Sequence, residues 1–402
     1  MKRTADQIKS VADAQYYAEK RVPSLVRDYL RAGSGTKTTL AENTRAFADV
    51  TFRPQVAIRR AERDLRTTVL GQEISMPVMI APTGGGRLAH PDGEIAGARA
   101  AGRAGIMQWV TTFAGIPIED IMAEATGPVG FQLYYPGSRD AAAELIERVR
   151  DVGCVALALT VDTAVGPRPE VPARGRVTIY RAGAKGMRPP LEYVRIARSL
   201  ARKPSWTYNF LRDRGNGLRA GMVHEEGKPA VLFRASEILM RETPVWEDIP
   251  WIKQRWDGPL VIKGITTTED ARRAVQYGAD AIVVSNHGGN VLDGNPSTIS
   301  VLPRIVDAVG SDLEVLFDSG IRRGSDVVKA LAIGARAVLL GRSWLWGVAA
   351  GGEAGVSAVL DAYRRQIDDT IASLGCAGVS DLDRSCVRFP AAWTDDIDDA
   401  RP

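Results

Sequence analysis

The stretch Ala281-Ile282-Val283-Val284-Ser285-Asn286-His287-Gly288-Gly289-Asn290 decides how this chain is built. Its apolar opening, Ala281 to Val284, is short, β-rich and uninterrupted, the pattern of a strand buried on both faces. Ser285 and Asn286 end it, and the glycine pair that follows lets backbone come close to a ligand. His287 is therefore expected just past the C-terminal end of a core strand, where parallel α/β folds keep their chemistry. A histidine can also simply cap a loop, so the assignment depends on what the other strand ends carry.

Working outward, the same unit recurs. Short apolar runs at 77–81, 106–110, 129–134, 155–161, 259–263, 281–285, 313–317 and 337–340 alternate with helix-forming segments such as 93–102, 139–152, 268–277 and 354–374. That rhythm predicts an α/β fold, a (β/α)8 TIM barrel rather than an open sheet. Helices are expected ahead of it over 8–20, from Pro23 to Gly33, and over 38–47. The rhythm lapses from Ala164 to about Thr243, and an insertion of that length is more often an active-site lid than filler. The expected organisation is one domain over 1–402. It comprises an N-terminal helical segment (1–75), the barrel (76–374) with a variable lid (164–243), and a tail (375–402) with a solvated acidic stretch.

Composition narrows the function. Of 402 residues 45% are hydrophobic, enough for a large core. Lys and Arg exceed Asp and Glu by 52 to 48, a balance too mild to imply a nucleic-acid partner. Cys154, Cys376 and Cys386 have no metal-ligand spacing, so no metal is expected, and they read as reduced thiols of a cytoplasmic protein. The N-terminal residues lack an apolar signal region, and no stretch is apolar for long enough to span a membrane.

The predicted strand ends carry a constellation. In chain order they bring Pro82-Thr83-Gly84, Thr111, Gln132 and Tyr134, Thr160 and Asp162, Lys263, Ser285 and His287, Asp318-Ser319-Gly320-Ile321-Arg322, and Gly341-Arg342. Singly, each has a bland explanation: Lys263 as a snorkelling side chain, Asp162 as a turn cap. The last two strand ends have the layout of a barrel phosphate site, with backbone N–H groups and arginines offered to a dianion. A buried lysine after the fifth strand suits a ligand that accumulates negative charge, such as a reduced flavin ring.

These residues, with the stretches 40–47, 79–83, 89–94, 158–163, 261–264, 284–289 and 317–324, resemble the FMN-dependent α-hydroxy acid oxidases and dehydrogenases. Glycolate oxidase, lactate oxidase and mandelate dehydrogenase are members of that family. The resemblance implies FMN as cofactor. Pro82, Thr83, Gly84, Thr111, Gln132, Thr160 and Ser285 would line its ring and ribityl chain, and Lys263 would stabilise the reduced ring. Asp318, Gly320, Arg322, Gly341 and Arg342 would hold its phosphate. His287 would be the base, Asp162 its orienting carboxylate, and Tyr29 and Tyr134 substrate contacts. The resemblance also implies a homo-oligomer, a small-molecule substrate, and oxygen, a quinone or a redox protein as electron acceptor. His90 and His224 fall outside the constellation and read as structural.

Two departures bear on the substrate. Where ordinary members carry an arginine after His-Gly-Gly that clamps the substrate carboxylate, this chain has Asn290. A second substrate arginine aligns with Pro169, with Arg168 one position away. Asp318-Ser319-Gly320 replacing Asp-Gly-Gly is a milder departure. His-Gly-Gly-Asn followed by Leu292-Asp293-Gly294 resembles the pre-mycofactocin synthase branch, whose substrate is an amine-bearing cyclic amide without an α-carboxylate. The expected reaction is thus two-electron oxidation of a CH–OH or CH–NH2 carbon, on a bulky or non-carboxylate substrate. One alternative is a conventional 2-hydroxy acid, such as glycolate, lactate or mandelate, held by Arg168 or another lid arginine. The other is a flavin-binding protein without turnover.

Overall fold

The computed structural model describes residues 5–58, 60, 62–164, 190–239 and 241–395. Its centre is a closed barrel of parallel strands: β1 (Val78–Ile80), β2 (Gln108–Thr111), β3 (Val129–Leu133), β4 (Ala156–Thr160), β5 (Leu260–Ile265), β6 (Ala281–Val284), β7 (Glu314–Phe317) and β8 (Ala337–Leu340). Each pairs with its neighbours in sequence, and β8 closes on β1 through Val338–Val78 and Leu340–Ile80. The TIM-barrel expectation is met.

Alternation along each strand separates two cores. Met79, Trp109, Ala158, Val261, Val283, Leu316 and Leu339 point inward and pack on one another. Val78, Phe131, Leu157, Ile282, Val315 and Val338 point outward against the helices. Trp109 takes the room of a missing neighbour: a Cβ on Gly130, its partner on β3, would lie 2.6 Å from the indole.

The inward phase also selects the site. Continued past the strand ends, the parity of Met79, Trp109, Gly130, Ala158, Val261, Val283, Leu316 and Leu339 gives Thr83, Thr111, Gln132 and Tyr134, Thr160 and Asp162, Lys263, Ser285 and His287, Asp318, and Gly341. Period two accounts for Thr111, Gln132, Thr160 and Lys263, which still belong to their strands; the others lie in the loops just beyond, at the same C-terminal mouth.

One expectation needs correction, and two others gain detail. Residues 1–75 are helical only at first, over Val11–Arg21, Ser24–Leu30 and Thr38–Arg45. Thr67–Val69 and Gln72–Ile74 then form an antiparallel hairpin whose Val69, Leu70 and Ile74 pack into the inner core. Three-residue strands around a tight turn give too short a pattern to stand out in sequence. The insertion after β4, where described, is ordered structure. It has helices Pro190–Ala201 and Pro204–Arg212, a hairpin of Arg219–Glu225 with Lys228–Val231, and helix Leu232–Leu239. The tail folds back, with Val387–Arg388 pairing antiparallel with Thr51–Phe52 and Cys386 and Val387 buried. Among the described residues no helix is long and apolar enough to cross a membrane, and no group of three or more His, Cys, Asp or Glu is placed to hold a metal.

Candidate active site

The polar strand ends meet in one cavity, lined among others by Tyr29, Thr83, Tyr134, Lys263, His287 and Arg342. His287 directs Nδ1 at Asp162 Oδ1, 3.1 Å away, and Nε2 at the Tyr134 hydroxyl, 3.4 Å away. Burial alone would raise the Asp162 pKa; the charge and hydrogen bond of His287, then Lys263 and Thr163, outweigh it and hold the carboxyl below its ordinary value. Thr163, which the sequence reading passed over, donates to Asp162 Oδ1 at 2.9 Å and lies 3.4 Å from the Tyr134 hydroxyl. In sequence it closes the 158–163 stretch directly after Asp162, with nothing there to give it a role. Tyr134 stacks along the imidazole and meets Phe113 edge-on.

Deeper in the mouth, Lys263 Nζ lies 3.0 Å from Asp318 Oδ2 and donates to Ser285 Oγ at 2.9 Å. Thr111 donates to Gln132 Oε1, yet Gln132 Nε2, Thr83 Oγ1 and Thr160 Oγ1 are buried with no protein partner. Orphaned polar atoms on adjacent strands at one opening mark where a polar ligand completes the hydrogen bonding. Arg322 and Arg342 crowd the loops after β7 and β8. Burial lowers the pKa of both, and for Arg342 the nearby Arg322 charge adds to it, bringing it down to about 9. Cations set that close favour a dianion between them.

Glycine is needed at Gly320 for a reason within the protein: at φ +82°, its added Cβ would lie 2.0 Å from the Asn43 carbonyl. Gly341 is different, since a Cβ there would meet nothing nearer than Thr83 Cγ2 at 3.6 Å. The space beside it is open toward the mouth.

The loop after β6 is pinned by the N-terminal segment. Asn43 and Asn286 exchange amide hydrogen bonds at 2.8 Å, Ser34 N–H donates to the Gly289 carbonyl, and Asp293 accepts from Thr36 and Thr39. Those bonds, the backbone N–H of Thr39 first, bring the Asp293 pKa down to about 2. Tyr29 comes from the same segment, with its ring against Gly84 and Gly85. Asn290 faces the cavity, but its amide is engaged: Nδ2 donates to the His287 carbonyl at 3.0 Å, and Oδ1 accepts from Arg342 at 3.2 Å. Ser236, from the last helix of the insertion, also lines the cavity and had no sequence signal. His90 is buried and its pKa lowered by burial, while His224 sits exposed on the insertion's hairpin; neither is in the cavity. Arg168 lies outside the described residues, as do Arg174 and Arg176.

Redox chemistry on a phosphorylated cofactor is what such a barrel mouth suits. The chain belongs to the FMN-dependent dehydrogenase family, whose model matches residues 18–389, and it is an FMN-dependent oxidoreductase. It is 41% identical over 396 residues to pre-mycofactocin synthase of Mycobacterium tuberculosis, covering 96% of each chain. Glycolate oxidase of Spinacia oleracea is 36% identical over 387 residues, covering 96% of this chain and 97% of that one. Among solved structures, the monotopic membrane protein (S)-mandelate dehydrogenase superposes with a TM-score of 0.86 at 34% identity, covering 95% of this chain and 99% of that one.

Proposed function

We propose that His287 is the base of a two-electron oxidation at a CH–OH or CH–NH2 carbon, on a substrate that brings no small α-carboxylate into the site. The observation that carries the second half is Asn290: a neutral side chain, already bonded to His287 and Arg342, occupies the family's carboxylate-clamping position.

FMN fits the residues present. Orphaned Thr83, Gln132 and Thr160 would bond its ring and ribityl chain, and Arg322, Arg342 and the open backbone at Gly341 would take its phosphate. Bound there, FMN supplies the acceptor for two electrons. Nε2 of His287 takes the proton that leaves the substrate, Asp162 on Nδ1 balances the imidazolium, and the Tyr134 hydroxyl orients the oxygen or nitrogen being oxidised. Lys263 would set a fixed cation beside the ring, which gains negative charge on reduction.

A carboxylate entering this mouth must exchange water for protein partners, and an amide supplies no charge. Glycolate, L-lactate and mandelate are therefore expected to bleach the flavin slowly under anaerobic mixing, with roughly several kcal/mol lost against an arginine clamp. Asn290→Arg should speed all three. Fast bleaching of the native protein at micromolar acid would instead support the conventional 2-hydroxy acid reading, with an insertion arginine as clamp.

Arg342→Ala should weaken FMN binding about tenfold or more, since a charge-assisted phosphate bond is worth roughly 1.5–3 kcal/mol. Quenching of FMN fluorescence on titration measures it; unchanged affinity would remove Arg342 from the phosphate site. The reduced thiols support a cytoplasmic location, and the membrane attachment described for the mandelate dehydrogenase is the competing outcome of a fractionation experiment.

A further inference from the structure

Ser319 occupies a backbone position that suits glycine. Its φ is +79°, in the left-handed region, and Gly320 after it has φ +82°. A serine there carries a conformational cost that glycine does not, so its hydroxyl needs a compensating use. The structure shows one. Ser319 Oγ donates to Asp318 Oδ1 at 2.7 Å and accepts the backbone N–H of Gly288 at 2.9 Å.

Those two bonds close a ring. Asp318 Oδ2 meets Lys263 Nζ at 3.0 Å, Lys263 donates to Ser285 Oγ at 2.9 Å, and Ser285 Oγ accepts the backbone N–H of His287 at 3.1 Å. The ring thus runs from the backbone of the histidine turn, through Ser285, Lys263, Asp318 and Ser319, back to that turn one residue later. The turn it holds is itself strained: His287 has φ +57°, Gly288 +62° and Gly289 +73°. Of these the histidine alone pays for a side chain in that region.

We propose that Ser319 is a positioning residue. Its hydroxyl locks the His287–Gly288 turn to the Lys263–Asp318 pair, so that the base and the buried cation keep one fixed geometry. This rests on the reading of His287 and Lys263 as the groups that face the flavin.

The test uses FMN-loaded protein and sulfite, an anion that adds to oxidised flavin and is retained where positive charge faces the ring. Its dissociation constant is read from flavin absorbance in wild type, Ser319→Gly and Ser319→Ala, with melting temperatures alongside. Both variants lose the hydroxyl, but only alanine keeps the left-handed cost. Sulfite should bind about tenfold more weakly to both, while Ser319→Gly melts no lower than wild type and Ser319→Ala melts below Ser319→Gly. Wild-type sulfite affinity in Ser319→Gly would reduce the serine to a tolerated strain and overturn the proposal. FMN-loaded wild type that binds no sulfite at all would instead remove Lys263 and His287 from the flavin, and the proposal with them.

Discussion

His287→Ala is expected to keep its FMN and lose reduction of the flavin by substrate, by roughly 10²–10⁴-fold, the usual contribution of a positioned base. Among the described residues the imidazole's hydrogen-bond partners are Asp162, Tyr134 and Thr163, none of them in the proposed phosphate site, so cofactor binding should survive its removal. Stopped-flow absorbance under anaerobic conditions measures the rate, and the visible flavin spectrum before mixing checks occupancy. An alanine variant that bleaches at the native rate would take His287 out of the mechanism.

Lys263→Met should produce two separable losses. Lys263 and Asp318 are only 5% and 7% exposed, and each is the other's buried counter-charge. Removing one partner of such a pair costs about 3–5 kcal/mol, because the remaining charge has nothing to balance it. Denaturant unfolding of the FMN-free protein reads that loss. The second loss is catalytic: without a cation where the ring gains charge, flavin reduction should slow by roughly 10²–10³-fold. Adding Asp318→Asn removes the stranded carboxylate, so the double variant should regain much of the stability and none of the rate. Recovery of both together would mean that Lys263 acts only as structural ballast for Asp318.

Asn290 shows where sequence reading meets its limit. The missing arginine was visible from the chain alone, and with it the prospect of a substrate without a carboxylate. The engagement of the asparagine was not, because Arg342 lies 52 residues away and comes from a different strand end. Ser319 is a sharper case. As a letter in a motif it is a mild change from glycine, and only its φ and its bond to Gly288, 31 residues distant, give it a role.

The chain itself determined the barrel, because short apolar runs and helical segments are local patterns that each strand and helix must satisfy. It also showed which residues fall at the strand ends, because Thr111, Gln132, Thr160 and Lys263 keep the inward phase of their strands and the loop residues follow them directly in sequence. Only the tertiary structure decided the hairpin that plugs the inner core, the ordering of the described insertion, the return of the tail to Thr51–Phe52, and the entry of Ser236 into the cavity. The hairpin strands are too short to show a period, and the docking of each segment is chosen by packing and hydrogen-bond geometry against partners far away in sequence, which no local periodicity records.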